Sequence, residues 1–211
     1  MYLTLWEGGA NLKLGQIASI KSGLVLTRKK AFINFEIENI YNLITLKNIK
    51  DNGAFNKEPF ETFESNKELE EGYFTEEGEI LVRLSYPYTA VHIDKGKAGL
   101  LVPSSFAIIK LRTADYIPEY VTWYLNSDQV KKELIKSQTG TAMSTTNKSI
   151  LTSIDIKEMP IEDQKRIGKI QELYFREKEL LDRLIEEKEK YYQAITNKLM
   201  QVNREGVVSY G

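Results

Sequence analysis

Few side chains in this sequence have a type and spacing that could carry out a reaction. The single histidine, His92, alternates with apolar residues in a predicted strand, and we expect it to be structural or at the surface. Because the chain has no cysteine, it offers neither a thiolate nucleophile nor the Cys/His ligands of a zinc site. Gly96-Lys97 is followed by Ala98 and lacks the upstream glycine of a phosphate-binding loop. These observations predict a non-catalytic protein without a metal or cofactor.

Two further patterns of catalytic sites are also missing. The five prolines are never adjacent, so the Asp/Asn-Pro-Pro-aromatic loop of amino-methyltransferases does not occur. Acidic residues dominate from Glu58 to Glu79, and we interpret this stretch as an exposed acidic segment rather than a set of metal ligands. An enzyme is therefore the function class that the sequence favours least.

Composition and charge point to a folded protein of the cytoplasm. Of the 211 residues, 42% are hydrophobic and 28% are charged, which is ordinary for a soluble globular chain. No apolar stretch approaches the roughly 18 residues of a membrane span, and no signal peptide is expected. The net charge of -1 argues against coating nucleic acid by bulk electrostatics, although the first 160 residues outside the acidic segment are basic enough to form a basic face.

Residues 1–159 are predicted to form a mixed β-sheet domain with short helices. Apolar runs rich in β-forming residues alternate with breakers and predict strands at 43–46, 80–84, 90–93 and 106–111. Pro118 is typical of a first helical turn, and Ser127 is typical of the cap of a second helix. The side chains expected to point inward from these two helices are Val121, Tyr124, Leu125, Val130, Leu134 and Ile135.

A long helix is predicted from Ile161 to about Val202, where Glu, Lys, Leu and Gln dominate. The fold class is thus α+β, a sheet domain followed by one long C-terminal α-helix, with a coiled-coil arm at 160–202 and a tail at 203–211. Such a helix would be about 60 Å long, whereas a domain of this size would have a radius of gyration of roughly 15 Å. Part of its apolar stripe must therefore meet another chain. With Ile167 at heptad position a, the predicted dimerisation residues are Ile167, Ile170, Tyr174, Leu181, Leu184, Tyr191 and Ile195.

Three charged residues interrupt this stripe and bear on how two helices would pair. Lys188 occupies an a position, and Glu177 and Lys198 occupy d positions. These charges weaken a simple parallel zipper. They fit better with the antiparallel arms of a two-fold homodimer, in which unlike ends meet.

Six phrases, in order along nearly the whole chain, resemble the specificity subunits of type I restriction-modification systems. The most diagnostic is Met159-Pro160-Ile161-Glu162-Asp163-Gln164-Lys165-Arg166-Ile167, which is similar to the family's Pro-Pro-Leu-x-Glu-Gln-x-x-Ile with Met159 for the first proline and Asp163 for the glutamate. Glu79 stands where the family's Gly-Asp-Ile-Leu strand has aspartate. The six phrases occupy 14–23, 41–49, 77–82, 116–127, 140–151 and 159–167.

The resemblance implies a subunit that reads double-stranded DNA and performs no chemistry itself. Residues 1–159 would be a target-recognition domain, and the arm would set the distance between two half-sites. Methyltransferase subunits and a restriction subunit would dock on the protein and act on the DNA. Family members usually carry two recognition domains and two arms, whereas this chain shows one of each. It resembles a half-subunit that dimerises.

Three polar segments are the candidates for DNA contact, because base reading needs side chains that match groove donors and acceptors and that hold register on phosphates. They are the loop at 138–148, the basic phrase at 27–30 and the loop that follows the strand at 80–84. The residues predicted to lie at the DNA are Arg28, Lys29, Lys30, Tyr86, Tyr88, Thr89, Gln138, Thr139, Thr141, Ser144, Thr145, Thr146, Asn147 and Lys148.

The alternative from another class is a coiled-coil adaptor whose head binds protein instead of DNA. The net charge of -1 favours it mildly. A salt-dependent shift of DNA in the presence of a methyltransferase partner would distinguish the two functions.

Overall fold

Short strands and helices alternate along residues 11–137 and 146–205, which are the residues that the computed structural model describes. In this part of the chain the strands are β1 Asn11–Lys13, β2 Ala18–Ser22, β3 Asn39–Leu43, β4 Glu61–Ser65, β5 Ile80–Arg83, β6 Ala90–His92, β7 Phe106–Leu111 and β8 Asp155–Lys157. The α-helices are α1 Leu14–Ile17, α2 Pro118–Leu125, α3 Asp128–Lys136, α4 Lys148–Ser153 and α5 Ile161–Glu205. The chain divides into two units, residues 1–168 and 169–211. This order confirms the predicted α+β class with a long C-terminal helix.

An antiparallel sheet in the order β2-β7-β5-β6 lies at the centre of the first unit. Its inner strands are buried on both faces, because successive side chains of a strand point to opposite sides. Ile80 and Val82 pack into the cluster that includes helices α2 to α4, whereas Leu81 packs into a second cluster with Ile108. Burial on both faces explains why these strands are continuous apolar runs, which made them predictable at 80–84, 90–93 and 106–111.

A separate hairpin, β3 with β4, carries a third cluster on its inner face. Tyr41 faces Phe63 across the hairpin and both contribute to that cluster, whereas the next pair, Ile40 and Glu64, is exposed. The strand predicted at 43–46 is wrong in position, since β3 ends at Leu43. The backbone N–H of Thr45 donates to Oδ1 of Asn48 (2.8 Å), which turns the chain into a 3₁₀ turn instead.

Helices α2 and α3 begin where the sequence predicts. Pro118 occupies the first turn of α2, and the Ser127 hydroxyl accepts from the Val130 backbone N–H (3.4 Å) at the start of α3. Of the six side chains predicted to point inward, Ile135 is the exception, because it is 50% exposed. Val130 and Leu134 are four residues apart and share the buried face of α3, while Ile135 is rotated by about 100° from Leu134.

The acidic stretch at 58–79 is not uniformly exposed, contrary to the prediction. It contains strand β4, and its last carboxylate, Glu79, is buried. Oε2 of Glu79 accepts from the Glu76 backbone N–H (2.9 Å), so this side chain closes the turn that leads into β5. Burial raises the pKa of the Glu79 carboxyl, which the Glu76 hydrogen bond partly offsets.

The first turn of α5 is tied to the rest of the first unit by Gln164, which is fully buried. Its Nε2 donates to the carbonyls of Asp115 (2.7 Å) and Met159 (2.8 Å), and its Oε1 accepts from the Ile117 backbone N–H (3.0 Å). One turn later, a Cβ on Gly168 would lie 3.0 Å from the Glu119 Cβ, so glycine allows α5 to approach α2 closely.

The second unit, described to Glu205, is a single helical segment with exposed apolar side chains along it. Those of Ile170, Leu181, Leu184 and Tyr191 are all more than half exposed. None of the described helices is both long and apolar enough to cross a membrane.

We expect Gln164→Ala to lower the free energy of unfolding by about 2–3 kcal/mol, because it removes the three hydrogen bonds of a fully buried side chain. The size-matched Gln164→Glu should also destabilise, since a carboxylate cannot donate to two carbonyls. Chemical denaturation measures both, and Gln193→Ala at an exposed position of α5 is the control, expected within about 0.5 kcal/mol of the parent. A loss no larger than that of the control would show that the three hydrogen bonds contribute little.

Glu79→Gln should make the stability of the protein less dependent on pH. A carboxyl whose pKa is raised by folding contributes stability below its ordinary pKa, and this contribution is lost as the pH rises through the folded value. Glutamine keeps the acceptor for Glu76 without a buried charge. The variant should therefore melt above the parent at neutral pH, and the two melting temperatures should converge in acid. Glu77→Gln, at an exposed neighbouring position, is the control. Parallel pH profiles for the parent and Glu79→Gln would contradict the assignment.

Candidate nucleic-acid interface

One end of the central sheet gathers the loops in which DNA contacts are predicted. There β2 and β5 finish and β6 and β7 begin, because Ser22 pairs with Ala107 and Arg83 pairs with Phe106. The chain turns tightly after β2: a Cβ on Gly23 would lie 2.2 Å from the Pro103 carbonyl oxygen, so only glycine fits there. Loops that leave and enter the sheet at this end are held side by side by backbone hydrogen bonds.

The loop from Leu84 to Thr89 joins β5 to β6 and carries a strained residue. Tyr88 has φ of +56°, and among the described residues it is the one non-glycine with positive φ. Its ring is buried and meets the ring of Tyr86 edge-on, with centroids 6.1 Å apart. A bulky residue in this region costs about 1–3 kcal/mol and persists where the surroundings impose it. In the same loop, the side chain of Tyr86 is 65% exposed and lies at the surface.

Residues 146–148 lie against this loop. The Thr146 backbone N–H donates to the Leu84 carbonyl (2.7 Å). Asn147 then caps α4 by accepting from the Ile150 backbone N–H (3.1 Å), and the exposed Lys148 begins the helix. Asn147, Lys148 and Ser22 line one open concave surface together with Ser149 and Thr152. The structure thus brings two of the three predicted segments together.

Several predicted contact residues are not available at the surface. Tyr88 and Thr89 are each 1% exposed, and the Thr89 hydroxyl donates to the Asp51 carbonyl (3.3 Å). Thr146 is also buried. These three side chains support the loops from within, so we withdraw them as DNA contacts. The predictions at Gln138, Thr139, Thr141, Ser144 and Thr145 lie outside the described residues.

The basic phrase Arg28, Lys29 and Lys30 is anchored to the β3–β4 hairpin instead. The Lys29 carbonyl accepts from the Asn66 backbone N–H (2.9 Å) and from the Ser65 hydroxyl (3.1 Å). The Ser65 hydroxyl oxygen also lies 2.7 Å from the Lys67 carbonyl oxygen, and its single proton can be donated to either carbonyl. The Lys67 ammonium holds the pKa of Lys29 below its usual value, partial desolvation adds to this, and Glu70 opposes it. The Ser65 hydroxyl, within hydrogen-bond distance of both carbonyls, therefore places Lys29 and Lys67 beside each other on the hairpin.

Sequence reasoning missed Lys67 and Arg83 as residues of these surfaces. Lys67 lies within the acidic stretch, far along the chain from Lys29, and only the hydrogen bonds at Ser65 bring the two together. Arg83 ends β5, where its Nε donates to the Ser85 hydroxyl (3.3 Å) and its Nη1 lies 3.9 Å from an Asp51 carboxylate oxygen. A charged residue at the end of an apolar strand is the one local signal that could have marked it.

The remaining candidate for chemistry, His92, lies beside a single carboxylate. Its Nε2 is 3.9 Å from Oε1 of Glu119 on α2. Among the described residues, no group of three His, Cys, Asp or Glu side chains is placed to hold a metal ion.

Comparison with solved structures identifies the fold. A chain from a structure of complex assembly and conformational transition of the type I R-M system matches with a TM-score of 0.56 and 15% identity, over 85% of this chain and 41% of its own. The HsdS subunit from Thermoanaerobacter tengcongensis matches with a TM-score of 0.54 and 15% identity, over 85% and 40%. The chain has the fold of a type I specificity subunit.

This fold confirms the resemblance predicted from the six sequence phrases. No protein-family model matches the chain, and no curated protein matches it. The chain spans about two fifths of the length of the two solved chains that it matches.

Proposed function

We propose that this chain is the DNA-reading specificity subunit of a type I restriction-modification complex. The observation that carries the proposal is the specificity-subunit fold, which covers 85% of the chain. In the proposed division of labour, residues 1–159 read one half of a bipartite site in double-stranded DNA. The arm at 160–202 pairs with a second copy, and 203–211 form a tail. Two-fold symmetry would then present two identical heads to inverted half-sites.

Tyr86 and Lys148 are the proposed contacts at the end of the central sheet. The phenol of Tyr86 is exposed on a strained loop, and it can donate to or accept from a base edge or a phosphate. Lys148 adds an exposed ammonium, which suits a phosphate. The hydrogen bond from Thr146 to Leu84 supports a shared surface, because it fixes one loop against the other.

Lys29 and Lys67, with Arg28 and Lys30, form the proposed phosphate-binding surface on the hairpin. The contacts of Ser65 place Lys29 and Lys67 side by side, and a phosphate between their ammonium groups would relieve the repulsion between them. Such contacts position the protein on the duplex without reading its sequence. With a net charge of -1, the chain must obtain its attraction to DNA from local surfaces of this kind.

The chemistry in this proposal belongs to other subunits. Methyltransferase subunits would transfer the methyl group and a restriction subunit would cleave, both directed by the bound specificity subunit. This chain would therefore be non-catalytic.

A protein-binding adaptor is the second candidate, and one observation favours it. Phe35, which is 87% exposed, lies on the 3₁₀ turn Asn34–Glu36 before β3, and Phe32, which is 80% exposed, lies just ahead of that turn. Large exposed apolar side chains grouped in this way are typical of protein interaction surfaces. DNA binding that is equally absent with and without a methyltransferase partner would favour the adaptor.

We expect Lys148→Ala to weaken DNA binding and to reduce the slope of log affinity against log salt by about one. The DNA keeps roughly one more counterion for each phosphate contact that the protein no longer makes. The assay is a salt titration of the complex with its methyltransferase partner. Lys95→Ala is the matched control, because Lys95 follows β6 and so lies at the opposite end of the sheet from the Leu84–Thr89 loop. Equal slopes for Lys148→Ala and the parent would remove this residue from the interface.

Lys29→Ala and Lys67→Ala are each expected to weaken binding, by about threefold to tenfold. If the two ammonium groups share one phosphate, the double variant should lose less than the product of the single losses. The same salt titration measures all three variants, with Lys95→Ala again as the control. Multiplicative losses would mean that the two lysines bind separate phosphates, and no loss at either position would remove the hairpin from the interface.

A further inference from the structure

Charged side chains on the second unit fall into two groups. Lys169 with Glu172, Arg176 with Glu179 and Glu187 with Lys190 form ion pairs of 2.8–3.0 Å within the helix. Glu177 and Lys188 are both exposed, and neither has an ion-pair or hydrogen-bond partner among the described residues. These two are the charges at heptad positions d and a between Ile170 and Ile195, whereas the third, Lys198, lies beyond Ile195. Their partners are therefore to be sought outside the chain.

The stripe that they interrupt has definite ends. Ile167 is half-buried and packs against the core of the first unit, so it is not free to serve the predicted dimer. The exposed apolar side chains at positions a and d then run from Ile170 to Ile195, a length of about 37 Å. Between these ends the stripe contains Tyr174, Glu177, Leu181, Leu184, Lys188 and Tyr191. An exposed apolar surface of this size calls for a partner.

The order of these residues is symmetric about one point. When two heptad helices run in opposite directions, each a residue must face a d residue of the partner. Only then do the three-residue a-to-d and four-residue d-to-a spacings of the two helices coincide. If the midpoint lies between Asp182 and Arg183, Glu177 of one helix faces Lys188 of the other. Every remaining layer then pairs like with like: Leu181 with Leu184, Tyr174 with Tyr191, and Ile170 with Ile195.

Other arrangements do not give this agreement. A slip of one heptad in one direction places Glu177 against Leu181 and Lys188 against Ile170, and a slip in the other places Lys188 against Leu184 and Glu177 against Ile195. Each puts a charge against an apolar layer, which costs desolvation without a compensating pair. A parallel dimer in register would place Glu177 against itself and Lys188 against itself, so like charges would meet.

We propose that the occupant of this face is a second copy of the same helix, antiparallel, with the two-fold axis between Asp182 and Arg183 and with Glu177 of each copy paired with Lys188 of the other. The inference rests on the homodimer in the proposed function, with the antiparallel arms expected from the sequence, and adds the register and the two residues that select it. Charge complementarity between the two unpaired side chains identifies the partner as this chain itself.

Reversal of the two charges tests the pairing. Glu177→Lys and Lys188→Glu each create two like-charge contacts per dimer and should weaken the dimer by at least about tenfold, whereas the double variant Glu177→Lys/Lys188→Glu should restore it. Sedimentation equilibrium gives the dissociation constants, and circular dichroism verifies that each variant remains helical. Glu186→Lys, at the outward heptad position f, is the matched control and should leave the dimer unchanged. A double variant no tighter than the single variants would overturn the proposed pair.

Disulfide trapping tests the direction independently of stability, and the cysteine-free chain needs no background substitutions. When Ile170→Cys and Ile195→Cys chains are mixed and oxidised, the mixed disulfide should form. Either chain alone should not cross-link, because its own cysteines would lie about 37 Å apart. Rapid self-linking of Ile170→Cys would show a parallel dimer and overturn the register. A parent chain that stays monomeric at micromolar concentration would overturn the dimer itself. A trapped antiparallel dimer that fails to bind DNA with its methyltransferase partner would contradict the proposed function and leave this inference standing.

Discussion

The first unit depends on one buried carboxamide, that of Gln164. It meets the residue that caps α2, Ile117, the carbonyl of Asp115 two residues earlier, and the carbonyl of Met159 just after β8. Only a side-chain amide can donate twice and accept once in this arrangement, because a carboxylate has no donor and an ammonium has no acceptor. Two segments that are distant in sequence, 115–117 and 159–164, are therefore held together by one group.

The parts of the fold that could be predicted are those in which burial leaves a simple pattern. Strands β5 and β7 are covered on both faces, so they are continuous apolar runs and were found. Strand β4 was missed because it buries only Phe63 and Ser65, and its exposed positions, Glu61 and Glu64, made it look like part of an acidic surface. The strand predicted at 43–46 is wrong in position because the strand ends early, where the Thr45 backbone N–H donates to the Asn48 side chain. Hydrophobic periodicity contains no signal for that bond.

Sequence pattern was also insufficient to predict which side chains of the candidate site lie at the surface. Tyr86, Tyr88 and Thr89 look equivalent in the sequence, yet only Tyr86 is exposed, in a loop where Tyr88 has a positive φ. Composition can mark a loop as polar and aromatic, but it cannot assign which side chain faces outward. The position of Lys67 beside Lys29 could not be predicted from the sequence, for another reason. Its place beside Lys29 follows from hydrogen bonds at Ser65, which exist only once the hairpin has formed.

The charges in the apolar stripe show why a less stable arm can serve this protein better. Apolar residues in place of Glu177 and Lys188 would bind a partner helix more strongly, but neighbouring registers of the two helices would then differ little in energy. A slip of one heptad moves one helix by about 10 Å along the other, which corresponds to roughly three base pairs at 3.4 Å per step. A protein that reads two half-sites at a fixed separation could not tolerate such a slip. In the proposed dimer, one charged pair, repeated by the two-fold axis, would stabilise the arm modestly and would penalise the registers one heptad away, in which the charges face apolar layers.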